Sequence, residues 1–421
     1  MRRGAPLLKD ICQPVSYAME RYAVVAHHYW GTPGGGQLVC AAAAKALEEA
    51  GYRPALAGTF KFDPRRYVEW YGIDISRYPV ETLPIAPRAF GLWSRLYVWL
   101  PAKKAAERYK PELLFIDEVA YKPLARGRRF RLVEYIHFPF EVVVDPRYRG
   151  TGLAYGEDPY IMERYGRFPM SLYWRAFVWG LKRYARENPF HYADAVLVNS
   201  RWTAQVAKMV YGQEPQVLNP PLPPNVEVVE KPRPFEEREP TVVMLGRFSQ
   251  EKRYHWVVTE VAPRLLKEVP GAKIIIFGGA ATPTLQAYRD RVRKMAEDAG
   301  LKTAETLDAH AHIYLIANAP RRVINDAMDK ARAFLHATIN EHWGIAVAEA
   351  MARGLTPAVH RSGGAWTDLV MEGRYGLGYT TAEEAVEALA KLLTQKASYA
   401  PQERARELVF QNFASALRRY I

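Results

Sequence analysis

The stretch Arg21-Tyr22-Ala23-Val24-Val25-Ala26-His27, then Gly31-Thr32-Pro33-Gly34-Gly35-Gly36, then the Ala-rich run from Gln37 to Ala50, sets the reading of the whole chain. A short apolar run with β-branched residues reads as a buried strand, the glycines as a turn, and the Ala-rich run as a helix. Working outward, the same alternation recurs. Strands are predicted at Glu112–Asp117, Arg131–His137, Ala193–Asn199 and Pro215–Leu218. In the second half they are predicted at Thr241–Leu245, Lys273–Phe277, Ala311–Ile316, Ala333–Ala337 and Thr356–His360. Helical patterns such as Val258–Glu268 and Leu285–Ala299 separate them. Strands apolar throughout, alternating with helices, imply an α/β protein whose parallel sheets are covered on both faces.

At 421 residues the chain exceeds one ordinary core, since cores stop growing near ~250–300 residues. The Pro-rich stretch from Pro220 to Pro234, closing at Pro240, removes donors and fixes φ, so it reads as a linker. The expected division is a first α/β domain at 1–222, a linker at 223–240 and a second α/β domain at 241–400. A final helical segment is expected at 401–421. Ligands bind beyond the carboxyl ends of strands in open α/β sheets, so the cleft between the domains is the expected site.

Composition excludes several classes. With two cysteines, Cys12 and Cys40, no disulfide framework or Cys-rich zinc site can form. The opening residues lack the apolar core of a signal peptide, and glycines and a proline break the charge-free run Ala23–Ala44, so it does not read as a membrane span. The expectation is a cytoplasmic protein, peripheral on the inner face of a membrane. Net charge is +13, and 31 Lys and Arg stand against 21 Asp and Glu in residues 1–225, a balance of +10. The basic half is expected to meet something anionic.

Three constellations carry chemistry. Gly34-Gly35-Gly36 lets backbone approach a phosphate or sugar at a helix start. Its spacing is not that of a dinucleotide site; a flexible turn is the plain alternative. Gly246-Arg247-Phe248-Ser249-Gln250-Glu251-Lys252 sets two cations at a strand-to-helix crossing, where they can hold a diphosphate or simply be solvated. Asn340-Glu341-His342-Trp343-Gly344-Ile345 leads into a helix carrying Glu349 among Ala and Val. A carboxylate there needs donors: sugar or ribose hydroxyls, or else a salt bridge. Amides near Gly344 and Ile345 would face a phosphate.

In this order, these motifs resemble the retaining nucleotide-sugar glycosyltransferases of the GT-B fold (family 4-like). Those enzymes carry a Gly-rich loop in the first domain, and Gly-Arg-x4-Lys and Glu-x7-Glu in the second. Within that superfamily the chain resembles the eukaryotic α-1,2-mannosyltransferases of asparagine-linked glycosylation, which extend dolichol-linked oligosaccharides from GDP-mannose. The matching residues are Gly34–Gly36, Tyr135-Ile136-His137-Phe138-Pro139, Val198-Asn199-Ser200-Arg201-Trp202-Thr203, Asn340–Ile345 and His360-Arg361-Ser362-Gly363-Gly364. The resemblance implies two Rossmann-like domains facing across a cleft, the first binding the acceptor and the second the nucleotide sugar, with the helix at 401–421 packing back on the first. It gives catalytic roles to Arg247 and Lys252 on the donor diphosphate, to Glu341 in orienting the sugar and to His137 near the transferring sugar. It implies donor binding by Gly34, Gly35, Gly36, Gly344, Ile345 and Glu349, the last on ribose. No cofactor is implied beyond the donor substrate, a nucleotide-diphosphate sugar such as GDP-mannose. Partners would be a lipid-linked or saccharide acceptor and the surface of an anionic membrane, with no nucleic acid. No Asp-x-Asp occurs, so no metal is expected, and Arg247, Lys252 and the helix start at Gly344 would replace it.

The segment Tyr160–Phe190 interleaves Arg164, Arg167, Arg175, Lys182, Arg183 and Arg186 with Phe168, Trp174, Phe177 and Trp179. Ala89–Trp99, with Phe90, Trp93, Arg95 and Tyr97, is similar. Each reads either as a core-packed helix with a basic face or as an interfacial surface for anionic lipid. Two rival functions stay open: a nucleotide-sugar 2-epimerase on the same fold, and a non-catalytic basic protein that binds polyanions. Glu341 and Glu349 beside the phosphate site argue against the second, because both repel a polyanion.

Overall fold

The computed structural model describes residues 20–85, 92–117, 122–148, 150–153, 165–184, 188–396 and 398–421. Seven strands form the first sheet: β1 (Tyr22–His27), β2 (Arg53–Gly58), β3 (Val80–Thr82), β4 (Leu113–Asp117), β5 (Arg131–Ile136), β6 (Ala195–Val198) and β7 (Gln216–Val217). All are parallel, in the order β3-β2-β1-β4-β5-β6-β7. A second parallel sheet is built from β8 (Glu239–Arg247), β9 (Lys273–Gly279), β10 (Thr303–Ala304), β11 (Ile313–Ala317), β12 (Ala331–His336), β13 (Thr356–His360) and β14 (Leu377–Tyr379). Its order is β10-β11-β9-β8-β12-β13-β14. The protein is thus α/β with two Rossmann-like domains, and strand order reverses at β1/β4 in one sheet and at β8/β12 in the other.

Strands such as Leu113–Asp117 are buried along their whole length, because helices cover both faces of each sheet. The strands β2, β3, β10 and β14 carry no clear sequence signal. The first is Arg53-Pro54-Ala55-Leu56-Ala57-Gly58, poor in β-formers, and β10 has only two residues. The Pro-rich stretch is docked rather than loose. Leu222 and Val226 are buried in the second domain's core, Asn225 N–H donates to the Tyr71 carbonyl and Val229 N–H to the Ala352 carbonyl. Its last two residues, Glu239 and Pro240, already open β8. Proline is tolerated at the start of a strand.

The C-terminal segment divides at Leu408–Phe410. Ala405 and Leu408 pack into the second domain, whereas Phe410, Phe413, Ala414 and Leu417 pack into the first-domain core, against the helix Gly35–Glu49. Phe413→Ala would leave a cavity in that core and is expected to cost about 3–5 kcal/mol. A lowered urea midpoint, with the first-domain tryptophan signal leading, checks this; an unchanged midpoint would show that the helix is not part of the first-domain core.

Candidate active site

The sequence places its chemistry at the carboxyl ends of the strands where each sheet reverses. His27 ends β1, Asp117 ends β4 and His137 follows β5; Arg247 ends β8 and His336 ends β12. Between the domains these ends enclose a cavity of about 690 Å3. Gly34, Gly35, Gly36, His137, Arg247, Lys252, Glu341, Gly344 and Ile345 all line it. The two loops nearly touch: a Cβ on Gly35 would lie 3.4 Å from Ile345 Cδ1.

On the second-domain wall, Lys252 Nζ donates to Glu341 Oε2 at 2.7 Å, and His336 Nε2 lies 2.9 Å from the same oxygen. Burial alone would push the Glu341 carboxyl up. The Lys252 ammonium and the His336 hydrogen bond outweigh it and hold the group well below the usual carboxylate range. Burial pushes His336 down. Arg247 is open to solvent, with a 3.1 Å contact from Nη2 to Glu251 Oε1. The turn after Glu341 needs glycine at position 344, where φ is 97°, so that the chain can enter the helix Ile345–Ala352, whose first residues line the cavity.

On the first-domain wall, the Tyr71 hydroxyl accepts from Gly34 N–H at 2.6 Å and donates to the Gly34 carbonyl at 2.9 Å, fixing the Gly-rich loop. His137 Nε2 lies 3.2 Å from Asp117 Oδ2, which also lies 2.5 Å from His27 Nδ1. Asn199 Nδ2 donates to the His137 carbonyl at 2.9 Å. His342 lies flat on Phe138, with centroids 4.1 Å apart, and burial pushes its imidazole down to about 4.

Glu349 is placed differently from the other site candidates. It does not line the cavity; Arg321 engages its carboxylate through both nitrogens, Nη1–Oε2 at 2.7 Å and Nη2–Oε1 at 3.3 Å. A ribose could reach this carboxylate only if Arg321 shared it. Sequence reasoning missed Arg321, His336, His27 and Asp117, none of which stands at a motif spacing. The one usable signal was an Asp closing the apolar strand Leu113-Leu114-Phe115-Ile116-Asp117.

The donors of His27, Cys40 and Asp117 lie within 4.8 Å of one another. His27 Nδ1 and Asp117 Oδ2 are hydrogen bonded at 2.5 Å, whereas two ligands of one tetrahedral ion, with bonds of about 2.0–2.1 Å, stand more than about 3 Å apart. Burial also pushes the Cys40 thiol well up, which disfavours the thiolate a metal needs. The cluster fits hydrogen bonding better than metal binding.

Lys252→Met would strand the Glu341 carboxylate, at a cost of about 3 kcal/mol, the low end for a buried pair because both groups keep some exposure. In the native protein the depressed pKa stabilises the fold above the ordinary glutamate value of about 4.3, and this stability is lost as pH falls through the folded value. In the variant, burial without the cation raises the pKa and acid relieves the strain. The stability deficit, read by urea unfolding, is therefore expected to be largest near pH 7 and to narrow toward pH 4.

Two family descriptions divide the chain: "Glycosyltransferase Family 4" matches residues 33–222 and "Glycosyl transferases group 1" matches 226–408. Relatives named GDP-Man:Man(3)GlcNAc(2)-PP-Dol alpha-1,2-mannosyltransferase include the human protein, 27% identical over 218 residues, covering 49% of this chain and 42% of that one. The Dictyostelium discoideum protein of that name is 24% identical over 247 residues, covering 55% and 47%. The matched stretch thus spans a little under half the length of these relatives. Among solved structures, Anabaena Alr3699/HepE in complex with UDP and glucose superposes with a TM-score of 0.61 at 18% identity, covering 95% of this chain and 99% of that one. Sucrose-phosphate synthase from Thermosynechococcus elongatus does so at 0.61 and 15%, covering 95% and 98%. With one family matched on each domain and the same two-domain fold among its structural neighbours, the chain belongs to the GT-B glycosyltransferases, a family 4 domain followed by a group 1 domain.

Proposed function

We propose that the protein moves a hexose from a nucleoside-diphosphate sugar to a lipid-linked or saccharide acceptor, without a metal and with retention of anomeric configuration. The observation that carries this reading is a cavity lined from one side by Arg247, Lys252 and Glu341 and from the other by Gly34–Gly36 and His137. Departure of a nucleoside diphosphate builds negative charge on its phosphates. Arg247, Lys252 and the amides at Gly344–Ile345 are groups that stabilise such charge. In this reading they do the work of a divalent ion, in keeping with a sequence that has no Asp-x-Asp. Both donors to Glu341 use Oε2, which leaves Oε1 for a hydroxyl of the donor sugar. Glu349, with Arg321 sharing it, serves the ribose. GDP-mannose is the first donor to try, because the named relatives use it. Retention follows from the family resemblance and would involve attack on the face the leaving group departs from.

The lipid acceptor rests on a surface. The helix Met170–Tyr184 buries Phe177 and Leu181, while Arg175, Trp179 and Lys182 face out, with Leu172 and Trp179 more than 60% exposed. Trp93, from the second aromatic-basic segment, packs edge-on against Phe177 at 6.1 Å and against Gly180, so the two segments form one surface that also exposes Tyr97 and Leu100. Arg164, Arg186 and Phe90 lie outside the described residues. Trp and Arg together suit the interface of an anionic bilayer. No described helix is long and apolar enough to cross a membrane, and a peripheral position on the cytoplasmic face is what we propose.

Two experiments test the reading. In chelator, one of GDP, UDP or ADP or its sugar conjugates is expected to raise the melting temperature, with the shift lost in Arg247→Ala and reduced in Glu349→Ala. Transfer is expected to run at full rate in that buffer; activity restored only by magnesium or manganese would overturn metal independence. On vesicles containing anionic lipid the protein should sediment in a salt-sensitive way, with binding weakened in Trp179→Ala/Arg175→Ala. Salt-insensitive behaviour, or no change in the variant, would remove the membrane surface from the proposal.

A further inference from the structure

The first-domain wall holds a charged group that does not line the cavity. The Asp117 side chain is fully buried at the end of β4, and one of its oxygens, Oδ2, lies within hydrogen-bond distance of two imidazoles, His27 Nδ1 at 2.5 Å and His137 Nε2 at 3.2 Å. Its other oxygen, Oδ1, and His27 Nε2 have no hydrogen-bond partner among the described residues. The three groups come from the ends of β1 and β4 and the turn after β5, so they meet only when β1, β4 and β5 pair in register. The helix Gly35–Glu49 starts directly above them. A Cβ on Gly36 would stand 3.0 Å from His27 Cε1, 3.1 Å from His137 Nε2 and 3.2 Å from Asp117 Oδ2. Position 36 therefore has no room for a side chain, and the partial positive charge of the helix's first turn falls on the carboxylate.

We infer that Asp117 is a positioning residue for transfer: by accepting from both imidazoles it holds His137 as the Nε2–H tautomer and turns Nδ1 to the transferring sugar. This deepens the proposed function and rests on His137 serving the sugar. The logic is that of hydrogen-bond accounting. An ionised carboxylate is acceptor-only, so each ring nitrogen facing it must carry the hydrogen. Two donors on one oxygen pin the ring from behind, and the nitrogen left over on His137 is then an acceptor when the ring is neutral. Burial opposes ionisation of Asp117, but the two histidines overcome it and hold the carboxyl well below its usual range. His27, which touches the same oxygen and is itself buried, braces the carboxylate.

The test has one arm that needs no activity. In the wild-type protein, long-range 1H–15N correlation spectra are expected to show both His137 and His27 bonded to hydrogen at the nitrogen facing Asp117, and Asp117→Ala is expected to abolish the preference at His137. A wild-type His137 in the Nδ1–H form would overturn the proposal whatever the enzyme does. In the kinetic arm, Asp117→Asn keeps the shape and removes the charge. It is expected to lower kcat by at least about 10-fold, the lower end of what losing a carboxylate behind a functional imidazole costs. The donor KM and the donor-induced melting shift should stay within about threefold of wild type and unchanged, respectively. An unchanged kcat in a folded Asp117→Asn protein would sink the positioning role. Loss of donor binding together with kcat would mark Asp117 as structural only. A wild-type protein that shows the expected tautomers but transfers no sugar would count against the proposed function and leave the hydrogen-bond assignment standing.

Discussion

A seam beside the cleft fastens the two domains, and it turns on the buried carboxylate of Asp368. This second-domain side chain accepts from the backbone N–H of Arg201, 3.0 Å from each oxygen, at the start of the first-domain helix Arg201–Tyr211. Asn219 Nδ2 and Thr367 Oγ1 add to it. A helix start carries unsatisfied donors and partial positive charge, so an acid from another domain is a strong tie. Beside it, Ser200 Oγ donates to the His342 carbonyl at 2.8 Å, and Gly364 lets the chains approach so closely that a Cβ would stand 2.2 Å from that carbonyl oxygen. Arg404 bridges the same place, giving to the Asp368 carbonyl and to Asn219 as the chain returns to the first domain. The stack of His342 on Phe138 sits at the edge of the cavity and depends on this registration.

With the domains fastened so, charged side chains from both domains line the cavity. The second-domain wall includes Arg247, Lys252 and Glu341 and the first-domain wall includes Arg95, while Asp117 lies inward, behind His137. Under the proposed function, the donor diphosphate lies against Arg247 and Lys252 of the second domain and the reacting end points toward His137. Orientation of this kind comes from fixed charges and is set before any ligand arrives, so little reorganisation is needed when charge develops.

The sequence made the frame legible because a buried parallel strand has a local signature, and Thr356–His360 or Lys273–Phe277 can be read without knowing their neighbours. The Gly-rich loop, the Gly-Arg-x4-Lys turn and Glu341 were legible for the same reason: a tight turn beside a strand end constrains residues a few positions apart. The contacts that decide how these residues behave are not local. Arg321 reaches Glu349 across 28 positions, His27 reaches Asp117 across 90, and Arg201 reaches Asp368 across 167. No spacing rule links such pairs; the sheet order creates them. Even short range failed where geometry matters: His336 lies five residues before Glu341, and only the turn between them brings the ring onto the carboxylate. The helix Met170–Tyr184 was readable as two faces, but which face packs depends on Trp93 and Phe177 meeting from separate segments.

The two walls solve the same problem in opposite ways. Each has a carboxylate at the point where its sheet reverses, and each carboxylate brings two donors to a single oxygen: His27 and His137 on Asp117, His336 and Lys252 on Glu341. The difference lies in what else is supplied. Glu341 has a permanent cation 2.7 Å away, keeps some exposure and lines the cavity, so its second oxygen can meet a ligand. Asp117 has no side-chain exposure and, among the described residues, hydrogen bonds only to imidazoles, so it can act on a ligand only through those rings. A buried acid without a fixed cation is costly to keep, and a chain that needed only packing would place an apolar residue at the end of β4. Its presence beside a glycine with no room for a side chain is therefore best accounted for by what it does to the ring in front of it.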